Sequence, residues 1–196
     1  MRIIGGRYRS RRILAPADAE TTRPITDRVK QALFDRLWDA GLLEEGNAVD
    51  LFAGTGSLGL EALSRGIEHC TFVERDGEAR RRLEQNLANL GLTDRSMILK
   101  VDALSTGWIR TLPRLPLRVV FCDPPFSLTE DERSGGHVRQ VLAALAAHLE
   151  PGGAAVLRTS RAVDAGPIEG YMPPARHVYG SMALHSYQTA LPEEEA

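Results

Sequence analysis

At 196 residues, with 43% apolar and 26% charged residues and a formal net charge of −2, the chain has the composition of a globular domain, and no apolar run in it is long enough to cross a bilayer. The start of the chain carries arginines but no apolar signal core, which predicts a cytoplasmic protein. Cys70 and Cys122 lie in apolar runs and are expected as buried thiols rather than a disulfide framework, and His69, His137, His148, His177 and His185 lack metal-ligand spacing, so no metal site is expected.

Charge is distributed unevenly. Up to Arg36 the chain carries nine bases and four acids, a balance of +5, which leaves −7 for the remainder. A basic head on an acidic body fits a local polyanion-binding patch, with a solvated arginine-rich face as the alternative. The head opens with Arg2-Ile3-Ile4 and Arg11-Arg12-Ile13-Leu14, two short strands around a glycine-containing turn, read as a basic β-hairpin. Its Arg7, Tyr8, Arg9, Arg11 and Arg12 combine guanidinium groups that pair with phosphates and one ring able to stack on a base.

Ala15 to Thr22 reads as a polar linker. Thr26 is placed as the N-cap of a helix that runs to about Gly41, with Val29, Leu33 and Leu37 as its apolar stripe. Arg23 and Arg28 flank its start and are assigned to substrate contact ahead of surface ion pairing.

From Asn47 onward strands and helices alternate. Strands are expected at Ala48 to Phe52, His69 to Val73, Met97 to Val101, Val119 to Cys122 and Ala154 to Arg158, and helices at Leu58 to Ser64, Gly77 to Leu90, Ser105 to Leu112 and His137 to Leu149. Asn86 is placed on the surface of the second of these helices. A late hairpin between Val178 and Ala190 closes the pattern, followed by an acidic tail, residues 191–196, expected to be disordered. Such alternation implies an α/β fold, a mostly parallel seven-stranded sheet with helices on both faces, whose ligands gather at the carboxyl ends of the strands.

Those strand ends carry the chemistry. Strand one ends in Asp50 and a glycine loop, Phe52-Ala53-Gly54-Thr55-Gly56, that continues to Gly59 and satisfies G-x-G-x-x-G at a strand-to-helix switch. A nucleotide-cofactor loop and an ordinary tight turn both fit this string. Strand two ends in Glu74, about twenty residues beyond the loop, where a carboxylate accepts ribose hydroxyls in doubly wound folds. Strand three ends in Asp102 and strand four in Asp123-Pro124-Pro125-Phe126. Four acids at four consecutive strand ends are hard to obtain from helix capping alone. The last motif offers no hydride-transfer groups and separates the chain from dinucleotide dehydrogenases.

These motifs resemble an S-adenosylmethionine-dependent amino methyltransferase of Rossmann-like fold. More narrowly, Arg2-Ile3-Ile4-Gly5-Gly6, Arg23-Pro24-Ile25-Thr26-Asp27-Arg28-Val29 and Leu58 to Gly66 resemble the bacterial 16S ribosomal RNA guanine-N2 methyltransferase family, from Arg2 to about Gly153 and again at Tyr179-Gly180. The resemblance implies methylation of the exocyclic N2 amine of a guanine, with 16S ribosomal RNA or a small-subunit assembly intermediate as partner and a monomer as the working unit. Residues 1–45 would form an extension packed on a methyltransferase domain at 46–190.

On the resemblance, Asp50, Phe52, Ala53, Gly54, Thr55 and Gly56 border the methionine portion of S-adenosylmethionine. Glu74 and Arg75 sit at its ribose, and Asp102 and Ala103 at the adenine. Asp123, Pro124, Pro125 and Phe126 form the catalytic motif, with Asp123 also on the cofactor side. Arg7, Arg9, Arg11, Arg12, Arg23 and Arg28 contact RNA. An aniline-like amine attacks poorly until its nitrogen pyramidalises, so acceptors such as the Asp123 carboxylate and the Pro124 carbonyl suit it, and Phe126 would stack on the base. The loop Ser127 to His137 is read as a mobile lid or a passive polar loop. Other readings are methylation of a DNA adenine or protein glutamine, a non-catalytic RNA-binding module and, more remotely, an NAD oxidoreductase.

Overall fold

The computed structural model describes residues 1–16 and 25–192. Arg23, most of the 15–22 linker and the Glu193 to Glu195 stretch of the acidic tail lie outside the described residues.

Among the described residues one sheet organises the molecule. Its strands are β1 (Asn47–Leu51), β2 (His69–Val73), β3 (Ser96–Leu99), β4 (Leu117–Cys122), β5 (Leu149–Ser160), β6 (Ala175–Tyr179) and β7 (Met182–Gln188), in the spatial order β3-β2-β1-β4-β5-β7-β6. The first five are parallel, and β7 enters antiparallel between β5 and β6. The order reverses between β1 and β4, which opens a crevice at their carboxyl ends. Alternation of side chains along β1 sends Ala48 into the apolar layer on one face and Val49 and Leu51 into the other.

Helices α1 (Asp27–Asp39), α2 (Ser57–Arg65) and α3 (Gly77–Leu90) cover the first face, through Leu33, Phe34, Leu60, Leu63, Leu83 and Leu87. After a short helix α4 (Phe126–Glu130), α5 (Glu132–Ala146) covers the second through Val138, Val141, Leu142 and Leu145. Thr26 caps α1 by accepting the Val29 N–H, as its sequence position predicts.

Two expectations need correction. The 105–112 helix is only a 3-10 turn at Gly107–Thr111, because Gly107 opens it and Pro113, without an N–H, follows its C-cap Leu112. The predicted 127–137 loop is helical: α4 follows Pro125, and Asp131 caps α5 by accepting the Ser134 N–H at 2.8 Å, a bond that also holds its carboxyl below the usual range. The N-terminal hairpin is present and short: Arg2 and Arg12 form an antiparallel bridge, with the Ile3 N–H donating to the Arg11 carbonyl at 2.9 Å and the Ile13 N–H to the Met1 carbonyl at 3.1 Å.

That head is held to the rest of the molecule by α2. The Glu61 carboxylate, fully buried, accepts the backbone N–H groups of Ile4 and Gly5 and the Arg65 Nε, each at 2.8 Å, and lies 3.6 Å from the Lys30 ammonium. Lys30 also donates to the Arg2 carbonyl at 2.9 Å. Burial lowers the Lys30 pKa, and Glu61 opposes that shift. Beyond it the Arg7 N–H donates to the Ser64 carbonyl at 2.7 Å, so close that a Cβ at Gly6 would fall 1.9 Å from the same oxygen. Asn86, expected at the surface, is 2% exposed: it exchanges hydrogen bonds with the Leu14 backbone and donates to the Thr55 carbonyl at 3.0 Å. The reason is the head itself, which covers that side of α3.

Candidate active site

The carboxyl ends of β1, β2, β4 and β5 and the segment following β3 border a cavity of about 780 Å³, within the range of small-molecule sites. The glycine loop, Glu74, Arg75, Asp102, Ala103 and the whole 123–126 motif line it, joined by Met1, Pro16 and Ile25 from the head and the start of α1. Of the sequence-assigned residues, Phe52, Ala53, Gly54, Thr55, Glu74, Arg75, Asp102, Ala103, Asp123, Pro124, Pro125 and Phe126 are therefore brought together.

Asp50 and Gly56 stand behind that wall. Asp50 is 1% exposed and accepts the Gly59 N–H at 2.8 Å, which ties the end of β1 to the first turn of α2. Burial pushes its carboxyl well above the usual range, although the Gly59 bond works the other way; Asp123 and Glu74 add to the rise. At Gly59 a Cβ would lie 2.3 Å from the Phe72 ring, so glycine there lets α2 lie against β2. Gly54 faces open space instead, with φ at +56°, and Phe52 holds φ +56° without being glycine, a strained backbone located at the cavity edge.

Glu74 is oriented by the backbone. Its two carboxylate oxygens accept the Gly54 N–H at 2.8 Å and the Asp76 N–H at 2.7 Å, which fixes the loop after β1 to the loop after β2. Asp102 pairs with Arg75 at 3.0 Å, an exposed ion pair of little energetic weight. Its other oxygen accepts the Leu104 N–H at 3.0 Å.

Directly after β4, Asp123 makes an ion pair with Arg158 of β5. Burial raises the Asp123 pKa while Arg158 opposes the rise. The same guanidinium lies 5.0 Å from the centroid of the Phe126 ring, and Phe126 is partly packed against the core. Sequence pattern gives Arg158 no role beyond ending a strand. The signal that could find it is an arginine continuing the apolar run Ala154 to Leu157, where a charge needs a partner.

Two of the head's arginines, Arg7 and Arg12, border different recesses. Arg7, Arg9, Arg11, Arg12 and Arg28 are all exposed. Arg12 borders a shallow recess with Met1, Arg2 and Asp27, and Met1 also lines the main cavity. Arg7 borders a different recess, with Trp38, Gly66 and Arg95, at the other end of α2. Arg11 donates to the Asn89 carbonyl at 3.2 Å.

The residues present suit an adenosyl amino-acid ligand: a carboxylate held by two backbone N–H groups, a glycine turn open to the cavity and a second carboxylate across from it. Among the described residues no group of three His, Cys, Asp or Glu side chains is placed to hold a metal ion, and no helix is long and apolar enough to cross a membrane.

A family model described as Conserved hypothetical protein 95 matches residues 1–188. The Escherichia coli (strain K12) ribosomal RNA small subunit methyltransferase D is 39% identical over 126 residues, covering 64% of this chain and 60% of that protein. Its Haemophilus influenzae counterpart is 36% identical over 135 residues, 68% of each. Among solved structures, the Escherichia coli candidate methyltransferase yhhF superposes with a TM-score of 0.77 at 29% identity, covering 97% of this chain and 98% of that one. The sequence matches thus span between 60% and 68% of those two curated relatives.

Proposed function

Because this chain belongs to the Conserved hypothetical protein 95 family and shares its methyltransferase fold with solved relatives, we propose that it transfers a methyl group from S-adenosylmethionine to the exocyclic N2 amine of a guanine in small-subunit ribosomal RNA. The observation that carries the reading is that Asp123-Pro124-Pro125-Phe126 lines one cavity together with the glycine loop and Glu74. The relatives named above as acting on small-subunit ribosomal RNA support the choice of polymer.

S-adenosylmethionine supplies, when bound, a methyl group on a cationic sulfur that departs as a neutral thioether. The chain's own residues do the rest. Glu74 receives the ribose hydroxyls, Asp102 and Ala103 flank the adenine, and the loop from Phe52 to Thr55 borders the amino-acid end, with Asp50 and Gly56 shaping that loop from behind. The guanine amine has its lone pair delocalised into the ring, so Asp123 and the Pro124 carbonyl accept its hydrogens while the lone pair turns toward the methyl carbon. Asp123 takes the proton after the new N–C bond forms, and preorganised acceptors supply most of the acceleration. Phe126 stacks on a base withdrawn from its helix or loop. The exposed arginines of the head hold the phosphate backbone in the cytoplasm's ribosome-assembly pool.

Calorimetry with S-adenosylmethionine and its demethylated product tests the first step, and transfer of methyl label to small-subunit RNA, naked or assembled, tests the second. N2-methylguanosine in the digested product is the expected result. Label on DNA adenine or protein instead, or no cofactor binding, overturns the reading.

Neutralising Arg7, Arg9, Arg11 and Arg12 together is expected to weaken RNA binding and to flatten the plot of log K against log salt by about 0.7 to 0.9 for each phosphate that is no longer neutralised. Cofactor affinity stays unchanged. A filter-binding titration at several salt concentrations reads the slope, and an unaltered slope would show that the head is only structural.

A further inference from the structure

We propose that Arg158 is a positioning residue for the methyl-transfer site, holding the Asp123 carboxylate and the Phe126 ring in the arrangement that receives the acceptor base; this rests on the methyltransferase reading above. The juxtaposition comes from strand register. β4 and β5 run parallel with Cys122 opposite Leu157, so the next residue of each strand, Asp123 and Arg158, meet at the rim of the cavity. There the guanidinium makes the ion pair with Asp123 and lies 5.0 Å from the Phe126 centroid. One planar group thus touches both side chains that the proposed chemistry assigns to the base: the acceptor of its amine hydrogens and the platform for its ring.

The arrangement has an electrostatic reason. Only an ionised carboxylate is purely an acceptor; a protonated one would present its own O–H to the amine. Asp123 sits where ionisation is costly. Asp50 at the end of β1 adds a second carboxyl that interacts with it, Glu74 lines the same cavity, Cys122 is beside it on β4, and α4 brings only the exposed Glu130. Arg158 on β5 is the cation facing it among the described residues, and it opposes the upward shift that burial imposes. The side chains are 10% and 18% exposed, so water screens the pair weakly.

Arg158→Met and Arg158→Lys separate this role from simple packing. In Arg158→Met the carboxyl loses its cation, and the acid limb of the pH–kcat profile is expected to move up by about 1 to 3 units, with kcat at neutral pH lowered by about 10- to 100-fold. Arg158→Lys keeps the charge without the flat surface over Phe126, so its limb stays near the wild-type position while kcat remains reduced. Circular dichroism establishes that both variants are folded, and Arg158→Gln, which also removes the charge, takes the place of the methionine variant if that one is not. The titration of the Asp123 carboxyl, followed by NMR without any substrate, should show the same displacement. In the variant that lacks the charge, an unmoved limb and unmoved titration overturn the inference. So does a lowered KM for RNA with undiminished kcat, which would mean that the guanidinium merely occupies the place of the base. If the wild-type protein transfers no label, the proposed function fails, while the substrate-free titration still decides the role of Arg158.

Discussion

Asp123→Asn is expected to lower kcat by about 10³-fold while changing S-adenosylmethionine affinity by less than about 10-fold. The rate figure follows the loss seen when one preorganised polar group is removed from a charge-developing centre, and the affinity bound follows the net worth of about one hydrogen bond. Asparagine preserves the volume and one carbonyl acceptor, but its amide presents N–H groups toward Arg158 in place of the carboxylate that now pairs with it. It also cannot take a proton from the methylated nitrogen. Since the loss is confined to the chemical step, KM for RNA should move far less than kcat. Single-turnover label transfer with calorimetry on the same preparation checks both halves. Retained turnover would remove Asp123 from the catalytic motif, and a binding module without catalysis would show no effect on its function.

Glu61→Ala is expected to lower stability by about 3–5 kcal/mol, the range for removing one partner of a buried charge pair. In a chain of this length that corresponds to a melting temperature lower by roughly 6–20 °C. Lys30 and Arg65 would keep their positions with 2% and 9% side-chain exposure but without the carboxylate between them, and the Ile4 and Gly5 N–H groups would lose their acceptor. The pH dependence carries a definite sign. Burial already places the folded-state pKa of Lys30 below its unfolded value, and loss of Glu61 lowers it further. The unfolded chain then binds more protons between the folded and unfolded values, so stability rises with pH in that window. The penalty is full below the folded pKa and shrinks as pH rises through it toward the ordinary lysine value of 10.5. Thermal melts at about pH 7 and about pH 9.5, both below the ordinary lysine value, read this difference; a penalty that does not shrink between them would show that losing Glu61 leaves the titration of Lys30 unchanged over that range. Because Glu61 holds the head, and Met1 of that head lines the cavity, the same variant should bind cofactor more weakly.

The main elements of the sheet were readable because each depends on local pattern. Gly77–Leu90 and His69–Val73 stand where periodicity places them, and the Thr26 cap needs only its own first turn. The four strand-end acids were legible for a related reason: in a parallel sheet, every strand that is followed by a helix brings its end to the same rim. Three of those acids line the cavity and the first, Asp50, braces it from behind. The weaker expectations failed where local pattern is ambiguous. A polar stretch such as Ser127 to His137 reads as a loop until the Asp131 cap is seen to start α5, and the basic hairpin, legible in its own residues, gives no sign that Glu61 of α2 accepts the Ile4 and Gly5 N–H groups.

By itself the sequence determined an α/β sheet of parallel strands, a glycine loop at the first strand-to-helix switch and an Asp-Pro-Pro-Phe motif at the fourth strand end. Each of these is written in contiguous residues, and contiguous residues are governed by short-range sterics, periodicity and capping. Only the tertiary structure decided that Asp50 faces the loop rather than the cavity, that Asn86 and Glu61 are buried clamps on the head, and that Arg158 meets Asp123. The Asp50 bond spans nine positions, whereas the others bring together segments 35 to 72 positions apart, and burial, which sets the energetic weight of a charge or an amide, is a property of the neighbours rather than of the residue.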